Sequence, residues 1–288
     1  MPRAINAVLL RRMKIPVLTY HAMRIDGNDY ARNDHVALKE DLLTVAALGF
    51  AVRSLSDIVA RSSNGSRAPE PAEKWVGFAF DDGPDFDFYD LPHPTWGMQR
   101  SMLNILMDGM SASRPAQAPP LHATSFVIAS PDARRQLDRT CMIGCDWWRD
   151  EWWSKAVLTG YLAIGSHSWD HNHPMLRPGE NGALTDGTFM VIDNFDAAEY
   201  QIAQAASLLK EKAPNAGTAL FAYPYGESSD YLVREYFPLH GARLGIQAAF
   251  TCEPSPVTEG CNRWRLPRYV FGRDWKSSDE LARILHEC

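Results

Sequence analysis

The feature that most constrains the fold is a series of short apolar segments, which alternate along the chain with helical patterns. Residues 75–80 read Trp-Val-Gly-Phe-Ala-Phe, as expected for a strand buried on both faces of a parallel sheet. Similar segments lie at 122–128, 161–165 and 219–223. Strands that alternate with helices in this way favour an α/β fold, and polar residues follow directly after several of them.

Helix signals between these segments support one domain. Asn33 or Asp34 can cap a helix that Gly49 ends. Residues 92–120 lack clear strand periodicity and are rich in Pro, Met and Ser, which predicts a long insertion near the mouth of the sheet. We therefore predict a single domain at 14–288, preceded by an N-terminal extension at 1–13.

Charge and hydropathy exclude several classes of partner. The net charge of −6 and the pI near 5.8 argue against nucleic acid or an anionic membrane as the main partner. No segment reaches the roughly 20 apolar residues of an integral membrane helix. The apolar patch near the N-terminus is also shorter than a secretory signal needs, so we expect a cytoplasmic protein.

Asp81 and Asp82 are adjacent carboxylates at the end of the apolar segment 75–80. Two such charges leaving a buried strand repel each other, and a bound cation would relieve that repulsion. One aspartate could then bind the cation while the other faced its water. The sequence Asp-Asp-Gly-Pro also suits an ordinary turn, so this motif alone leaves both interpretations open.

His167 and His171 are four residues apart, a spacing that can place both rings on one side of a helical turn. Histidine nitrogen and carboxylate oxygen suit Zn²⁺, with Co²⁺, Ni²⁺, Mn²⁺ or Fe²⁺ as alternatives. Three protein ligands would leave a position open for water, which is typical of catalytic sites. His173 is expected to face elsewhere.

The segment Tyr223-Pro224-Tyr225-Gly226 predicts a stiff turn. Proline fixes one dihedral angle and glycine permits an unusual one, so the N–H of Tyr225 could point into a site. Together with a metal, a fixed N–H could stabilise an oxyanion. An ordinary loop is the alternative for this tetrapeptide.

In this order and spacing, the three motifs resemble those of the NodB-homology polysaccharide deacetylases, carbohydrate esterase family 4. The match covers Ala79–Gly83 except at its first position, His167–His171, and part of the third motif at Tyr223–Gly226. The resemblance runs from about Pro16 to the end of the chain. The segments Val17–His21, Leu266–Arg268 and Arg273–Trp275 resemble those of bacterial exopolysaccharide deacetylases.

This resemblance implies a distorted (β/α)7 barrel and metal-dependent removal of N-acetyl groups from a carbohydrate. It implies that Asp82, His167 and His171 bind the divalent metal. It also implies that Asp81 is the general base and that the Tyr225 N–H stabilises the oxyanion.

Two departures from the family pattern matter for the mechanism. Ala222 stands where the family has an arginine that orients the base, and Arg268 is our candidate for that role. The closest match to the family's general-acid motif ends at His286, with His21 and His240 as the other candidates. Pro224, Tyr225 and Trp275 are expected to contact the sugar.

Two alternatives stay open on the sequence. One is hydrolysis of another amide or of an O-acetyl ester on the same metal site. The other is a catalytically inactive sugar-binding module.

Overall fold

A computed structural model describes residues 13–63, 73–111, 122–176, 187–214, 216 and 219–288. Apart from Met13, the predicted N-terminal extension lies outside the described residues, and so does the end of the predicted insertion.

The strands and helices alternate along most of the described chain. The strands are β1 (Val17–His21), β2 (Phe50–Val52), β3 (Lys74–Asp81), β4 (Leu91–His93), β5 (Gly97–Gln99), β6 (Ala123–Val127), β7 (Leu162–Ser166), β8 (Leu220–Ala222), β9 (Ala248–Phe250) and β10 (Tyr269–Val270). The α-helices are α1 (Asp34–Ala47), α2 (Leu55–Ser63), α3 (Met102–Ser111), α4 (Pro131–Cys141), α5 (Trp153–Leu158), α6 (Phe195–Ala198), α7 (Gln204–Lys212), α8 (Phe237–Leu244) and α9 (Ser278–His286). Short π-helical turns span Glu199–Ala203 and Leu232–Tyr236, and 3₁₀ turns span Tyr30–Arg32, Asp85–Asp87 and Pro224–Gly226.

The main sheet is parallel throughout and curls into a distorted barrel. Its strand order is β10-β1-β3-β6-β7-β8-β9, and β2 pairs with the first half of β3. The chain around Leu266 connects β9, at one end of this order, with β10, at the other end. Leu266 exchanges backbone hydrogen bonds with Ala249 and Thr251 at β9, and β10 follows shortly after it and pairs with β1. The predicted α/β barrel of the (β/α)7 type is therefore confirmed.

Successive side chains along the strands point to opposite faces of the sheet and so pack in two different apolar layers. Leu18 and Phe78 pack in the layer that also contains the inner face of α1. Their sequence neighbours Val17 and Ala79 pack together with Phe126 in the barrel interior. Asp81 lies two residues beyond Ala79 and is therefore on the interior side, at the C-terminal end of β3.

Local sequence explains the bounds of α1. Asn33, rather than Asp34, is the N-cap, since its side-chain oxygen accepts hydrogen bonds from the N–H groups of His35 and Val36. The helix ends at Ala47, shortly before Gly49 with φ of 76°.

The predicted insertion is more ordered than its sequence indicates. The described part contains an antiparallel hairpin of β4 and β5, followed by α3. Strands of three residues are too short to show periodicity, which is why the hairpin was not predicted. In the described residues, no helix is both long and apolar enough to cross a membrane.

Candidate metal and catalytic site

Unusual backbone conformations are concentrated in the three motifs. Among the described residues, six non-glycine residues have positive φ, and five of them lie in or beside these motifs. These five are Asp82 (77°), Ser168 (69°), His171 (65°), Asn172 (46°) and Tyr225 (59°). Such conformations cost about 1–3 kcal/mol each and tend to cluster at functional sites.

Asp82, His167 and His171 converge on one point. The Asp82 Oδ1 atom lies 3.6 Å from Nε2 of His167 and 3.7 Å from Nε2 of His171. One possible ligand atom from each residue lies within 4.8 Å of the other two. A tetrahedral ion with bonds of about 2.0–2.1 Å needs ligand atoms about 3.4 Å apart, so the trio is close to the required geometry.

The two histidines reach this point from a loop and not from a helical turn, which corrects the local conformation that their spacing suggests. β7 ends at Ser166, and the chain then passes through Ser168 in the left-handed conformation. The Ser168 hydroxyl accepts a hydrogen bond from the N–H of His171 at 2.9 Å, which closes the turn.

The hydrogen bonding of His167 and the burial of both histidines suit metal binding. Nδ1 of His167 lies 2.9 Å from the carbonyl oxygen of Ala222, which can only accept, so Nδ1 carries the proton and Nε2 is free. Burial, followed by the neighbouring His167, lowers the pKa of His171 well below its usual value. A neutral imidazole is the form that binds metals, so these residues fit a divalent cation.

Arg268 contacts Asp81 across 187 residues of sequence. Its guanidinium donates to both carboxylate oxygens, at 2.7 and 2.9 Å, and its Nε donates to the carbonyl of Thr251 at 3.1 Å. Both side chains are buried, and the guanidinium also lies over the ring of Phe126. Burial alone would raise the pKa of Asp81, but the charge and the hydrogen bonds of Arg268 bring it down to about 2. The structure thus brings Arg268 to the place predicted for it.

The Pro224–Gly226 turn presents Tyr225 to the site. Pro224 is buried, whereas Tyr225 is 38% exposed and its ring lies 4.5 Å from that of His171, measured between centroids. Gly226 has φ of 70°, and a Cβ there would lie only 2.3 Å from Cβ of Cys252. Glycine is therefore required at this position by both conformation and space.

A cavity of about 220 Å³ opens over these residues. Asp81, Asp82, His167, His171 and Tyr225 all line it. The other lining residues include four large apolar side chains, those of Ile128, Leu137, Met142 and Trp148. The remainder are His21, His173, Gly226, Cys252, Val270 and Arg273. The predicted metal ligands and the predicted base therefore share one accessible site.

The three candidate acids lie in different places. His21 is the last residue of β1, is paired in register with Asp81 and lines the cavity. His286 is exposed at the end of α9, and His240 packs against the rings of Phe195 and Tyr236. Of the three, His21 is the one that the fold brings to the site.

The position of Trp275 contradicts the expectation that it contacts the sugar. Its side chain is 1% exposed, packs in the main core and donates from Nε1 to the carboxylate of Asp41 at 3.0 Å. It is therefore a core residue and not part of the sugar-binding mouth. Among the cavity residues that were not predicted from the sequence are His173 and Trp148. His173 was expected to face elsewhere, and nothing in the sequence distinguishes Trp148 from the other eight tryptophans.

No protein-family model matches the sequence, and no curated protein matches it. Solved structures do match. The deacetylase PplD of Streptococcus pyogenes, solved in complex with acetate, aligns with a TM-score of 0.62 at 18% identity, over 95% of this chain and 99% of that one. The fold is that of polysaccharide deacetylases.

Two further structures agree with this assignment of the polysaccharide deacetylase fold. IcaB from Ammonifex degensii aligns with a TM-score of 0.59 at 20% identity, over 94% of this chain and 97% of that one. BC0361, a polysaccharide deacetylase from Bacillus cereus, aligns with a TM-score of 0.60 at 14% identity, over 95% of this chain and 69% of that one. In barrels of parallel strands the active site lies at the C-terminal ends of the strands, which is where Asp81 and His167 are found.

Proposed function

We propose that the protein is a metal-dependent hydrolase that removes N-acetyl groups from a carbohydrate. One observation carries the proposal. A buried carboxylate, Asp81, is held by Arg268 directly beside a converging Asp82, His167 and His171 at the same cavity. A bound divalent ion would supply a Lewis acid that activates water and polarises the acyl carbonyl. Zn²⁺ suits the nitrogen and oxygen donors best.

Asp81 is the proposed general base. With its pKa near 2, the carboxylate is ionised at neutral pH and can accept a proton from the attacking water. Arg268 acts through Asp81 by fixing the plane of that carboxylate with two hydrogen bonds. It replaces, from the residue directly before β10, the arginine that the deacetylase family has at the position of Ala222.

His21 is the proposed general acid. Its position in register with Asp81 puts it at the edge of the same cavity, where it can donate a proton to the departing sugar nitrogen. The products are then a free amine on the sugar and acetate, so one water is consumed for each amide bond broken.

Tyr225 is proposed to act through its backbone N–H. The positive φ of Tyr225 and the crowded Gly226 fix this peptide, so the N–H needs no reorganisation when the carbonyl oxygen becomes negatively charged. The exposed ring of Tyr225 offers a surface for the sugar, and Pro224 supports the turn from a buried position.

The carbohydrate substrate rests on the fold likeness together with the cavity. PplD was solved with acetate and BC0361 is described as a polysaccharide deacetylase, and the cavity here joins the metal-ligating trio to an apolar wall that can accept an acyl methyl group. The buried Asp81–Arg268 pair favours an enzyme over an inactive sugar-binding module, because sugar binding alone does not require an ionised carboxylate fixed beside the metal-ligating trio.

Acetate release from N-acetylated oligosaccharides tests the proposal. We expect the zinc-loaded protein to release acetate, and removal of the metal by a chelator to abolish release until metal is restored. Asp81→Asn should lower kcat by about 10²- to 10⁴-fold, the usual contribution of a general base. The zinc content of this variant should be unchanged.

O-acetylated sugars and simple amides serve as comparison substrates. Faster turnover of either than of N-acetylated sugars would contradict the proposed specificity. Acetate release that is unaffected by Asp81→Asn would contradict the assigned base. Bound metal without turnover of any acyl substrate would favour the binding module.

A further inference from the structure

The carbonyl oxygen of Asp82 is held by a residue that the proposed mechanism does not use. Asp82 follows the last residue of β3 with φ of 77°, a conformation that persists only where the surroundings enforce it. Its carbonyl accepts two hydrogen bonds, from the N–H of Ile128 at 3.2 Å and from the indole Nε1 of Trp148 at 2.9 Å.

Trp147 and Arg149, on either side of Trp148, contact the turn after β3 at a second point, Asp85. The N–H of Asp85 donates to the carbonyl of Trp147 at 2.8 Å. In return, the carboxylate of Asp85 accepts from the backbone N–H and the Nε of Arg149, each at 2.8 Å. The segment 147–149 therefore contacts the turn on both sides of Gly83 and Pro84.

α4 anchors this segment. The side chain of Arg134, 2% exposed, donates to the carbonyl of Trp148 at 2.8 Å and to the carboxylate of Asp150 at 2.9 Å. The Trp148 ring is 4% exposed and packs in one cluster with Ile128 and Leu137. The indole N–H of Trp148, which donates to Asp82, is therefore held in place by contacts with α4.

We propose that Trp148 is a positioning residue that keeps Asp82 in its metal-binding orientation. The inference rests on the proposed metal site. Since Asp82 Oδ1 sits 3.6 and 3.7 Å from the two histidine nitrogens, a small rotation of the Asp82 peptide moves the carboxylate away from both. Residues that orient metal ligands typically change metal affinity 10- to 100-fold when they are altered.

Trp148→Phe removes the indole N–H and keeps an aromatic ring. Trp152→Phe is the matched control. Trp152 is fully buried and stacks on Phe88, and its Nε1 has no hydrogen-bond partner among the described residues. Both substitutions remove the same atoms from a buried site, and only the first removes a hydrogen bond to a metal ligand.

Zinc affinity is measured for both variants by competition with a chromophoric chelator. We expect Trp148→Phe to bind zinc about 10- to 100-fold more weakly than the unaltered protein, and Trp152→Phe to bind it equally well. Unchanged zinc affinity in Trp148→Phe, or an equal loss in both variants, would overturn the proposal.

Hydrogen exchange in the metal-free protein separates this inference from the metal site itself. We expect the amides of Ile128 and Asp85 to exchange faster in Trp148→Phe and at the original rate in Trp152→Phe. If the unaltered protein binds no zinc, the proposed function fails, and exchange still decides whether Trp148 holds the turn. Equal exchange at both amides in all three proteins would overturn its role.

Discussion

Asp81 and Arg268 form a buried ion pair, and its stability depends on both partners being present. Each side chain is 3% exposed or less. Removing one member of such a pair leaves an uncompensated charge in a medium of low dielectric constant, which costs more than the pair itself contributes.

Arg268→Met should therefore destabilise the protein by about 3–5 kcal/mol, and the double variant with Asp81→Asn should recover much of that loss. Urea unfolding at pH 7 measures both. Equal stability of the single and double variants would contradict the account, because it would mean that the isolated Asp81 carboxylate is not penalised.

Gly226 is the second residue whose identity the site requires. A Cβ at this position would lie 2.3 Å from Cβ of Cys252 and 2.7 Å from its backbone nitrogen. Gly245 has a similar φ, 75° against 70°, and no atom within 4 Å of the corresponding Cβ position.

Gly245→Ala should cost about 1 kcal/mol or somewhat more, the penalty of the left-handed conformation alone. Gly226→Ala should cost more than this, because Cys252 must also move, and it should lower kcat by displacing the Tyr225 N–H. Thermal unfolding and acetate release measure the two effects. Equal melting temperatures for the two alanine variants would show that the contact with Cys252 is unimportant.

At the scale of elements, the start of α1 connects the barrel to the hairpin. Asn33 is fully buried, and while its side-chain oxygen caps the helix, its Nδ2 donates to the carbonyl of Gly27 and to the side chain of Gln99 on β5. Asn194 is also an N-cap, but it is exposed, and its side-chain oxygen accepts one hydrogen bond among the described residues, from the N–H of Ala197.

Asn33→Ala should destabilise the protein by about 2 kcal/mol or more, because it removes a cap and leaves buried groups without partners. Asn194→Ala should cost about 0.5–1 kcal/mol, the usual value for a cap at the surface. Chemical denaturation of the two variants gives the comparison. The reverse order of the two losses would contradict the structural role given to Asn33.

At the scale of the whole molecule, Asp41 joins three parts of the chain. Its carboxylate accepts hydrogen bonds from Tyr20 on β1, from Tyr30, and from Trp275 near the C-terminus. Burial raises the pKa of Asp41 to about 6, although these three donors act to lower it. Trp275 thereby has a structural reason to be in the core.

A raised pKa makes stability depend on pH in a defined direction. The folded protein holds the Asp41 proton more tightly than the unfolded chain, so this contribution is complete below about pH 4 and is lost as pH rises through about 6. A difference of about two pKa units corresponds to about 3 kcal/mol. We expect a fall in unfolding free energy between pH 4 and 7 that is smaller in Asp41→Asn.

Urea unfolding at several pH values checks this expectation. Asp34, whose pKa burial also raises to about 6, stays in the variant and should leave a residual slope. Parallel pH profiles for the unaltered protein and for Asp41→Asn would contradict the assignment.

The residues of the candidate metal site could be named from local chemistry, whereas the contacts that support them could not. The paired aspartates follow one buried strand and the two histidines follow another. Each motif can therefore be recognised from a few adjacent residues. Arg268 could be named as a candidate, but its contact with Asp81 depends on how the last strand closes the barrel. Trp275 and Trp148 look alike in sequence, and only the folded structure shows that Trp275 packs in the core whereas Trp148 donates to Asp82.

Anomalous diffraction from crystals soaked in zinc is the most direct test of the proposed metal site. We expect a peak within about 2.0–2.2 Å of Asp82 Oδ1 and of the Nε2 atoms of His167 and His171. A zinc peak elsewhere on the protein, with none between these three residues, would contradict it.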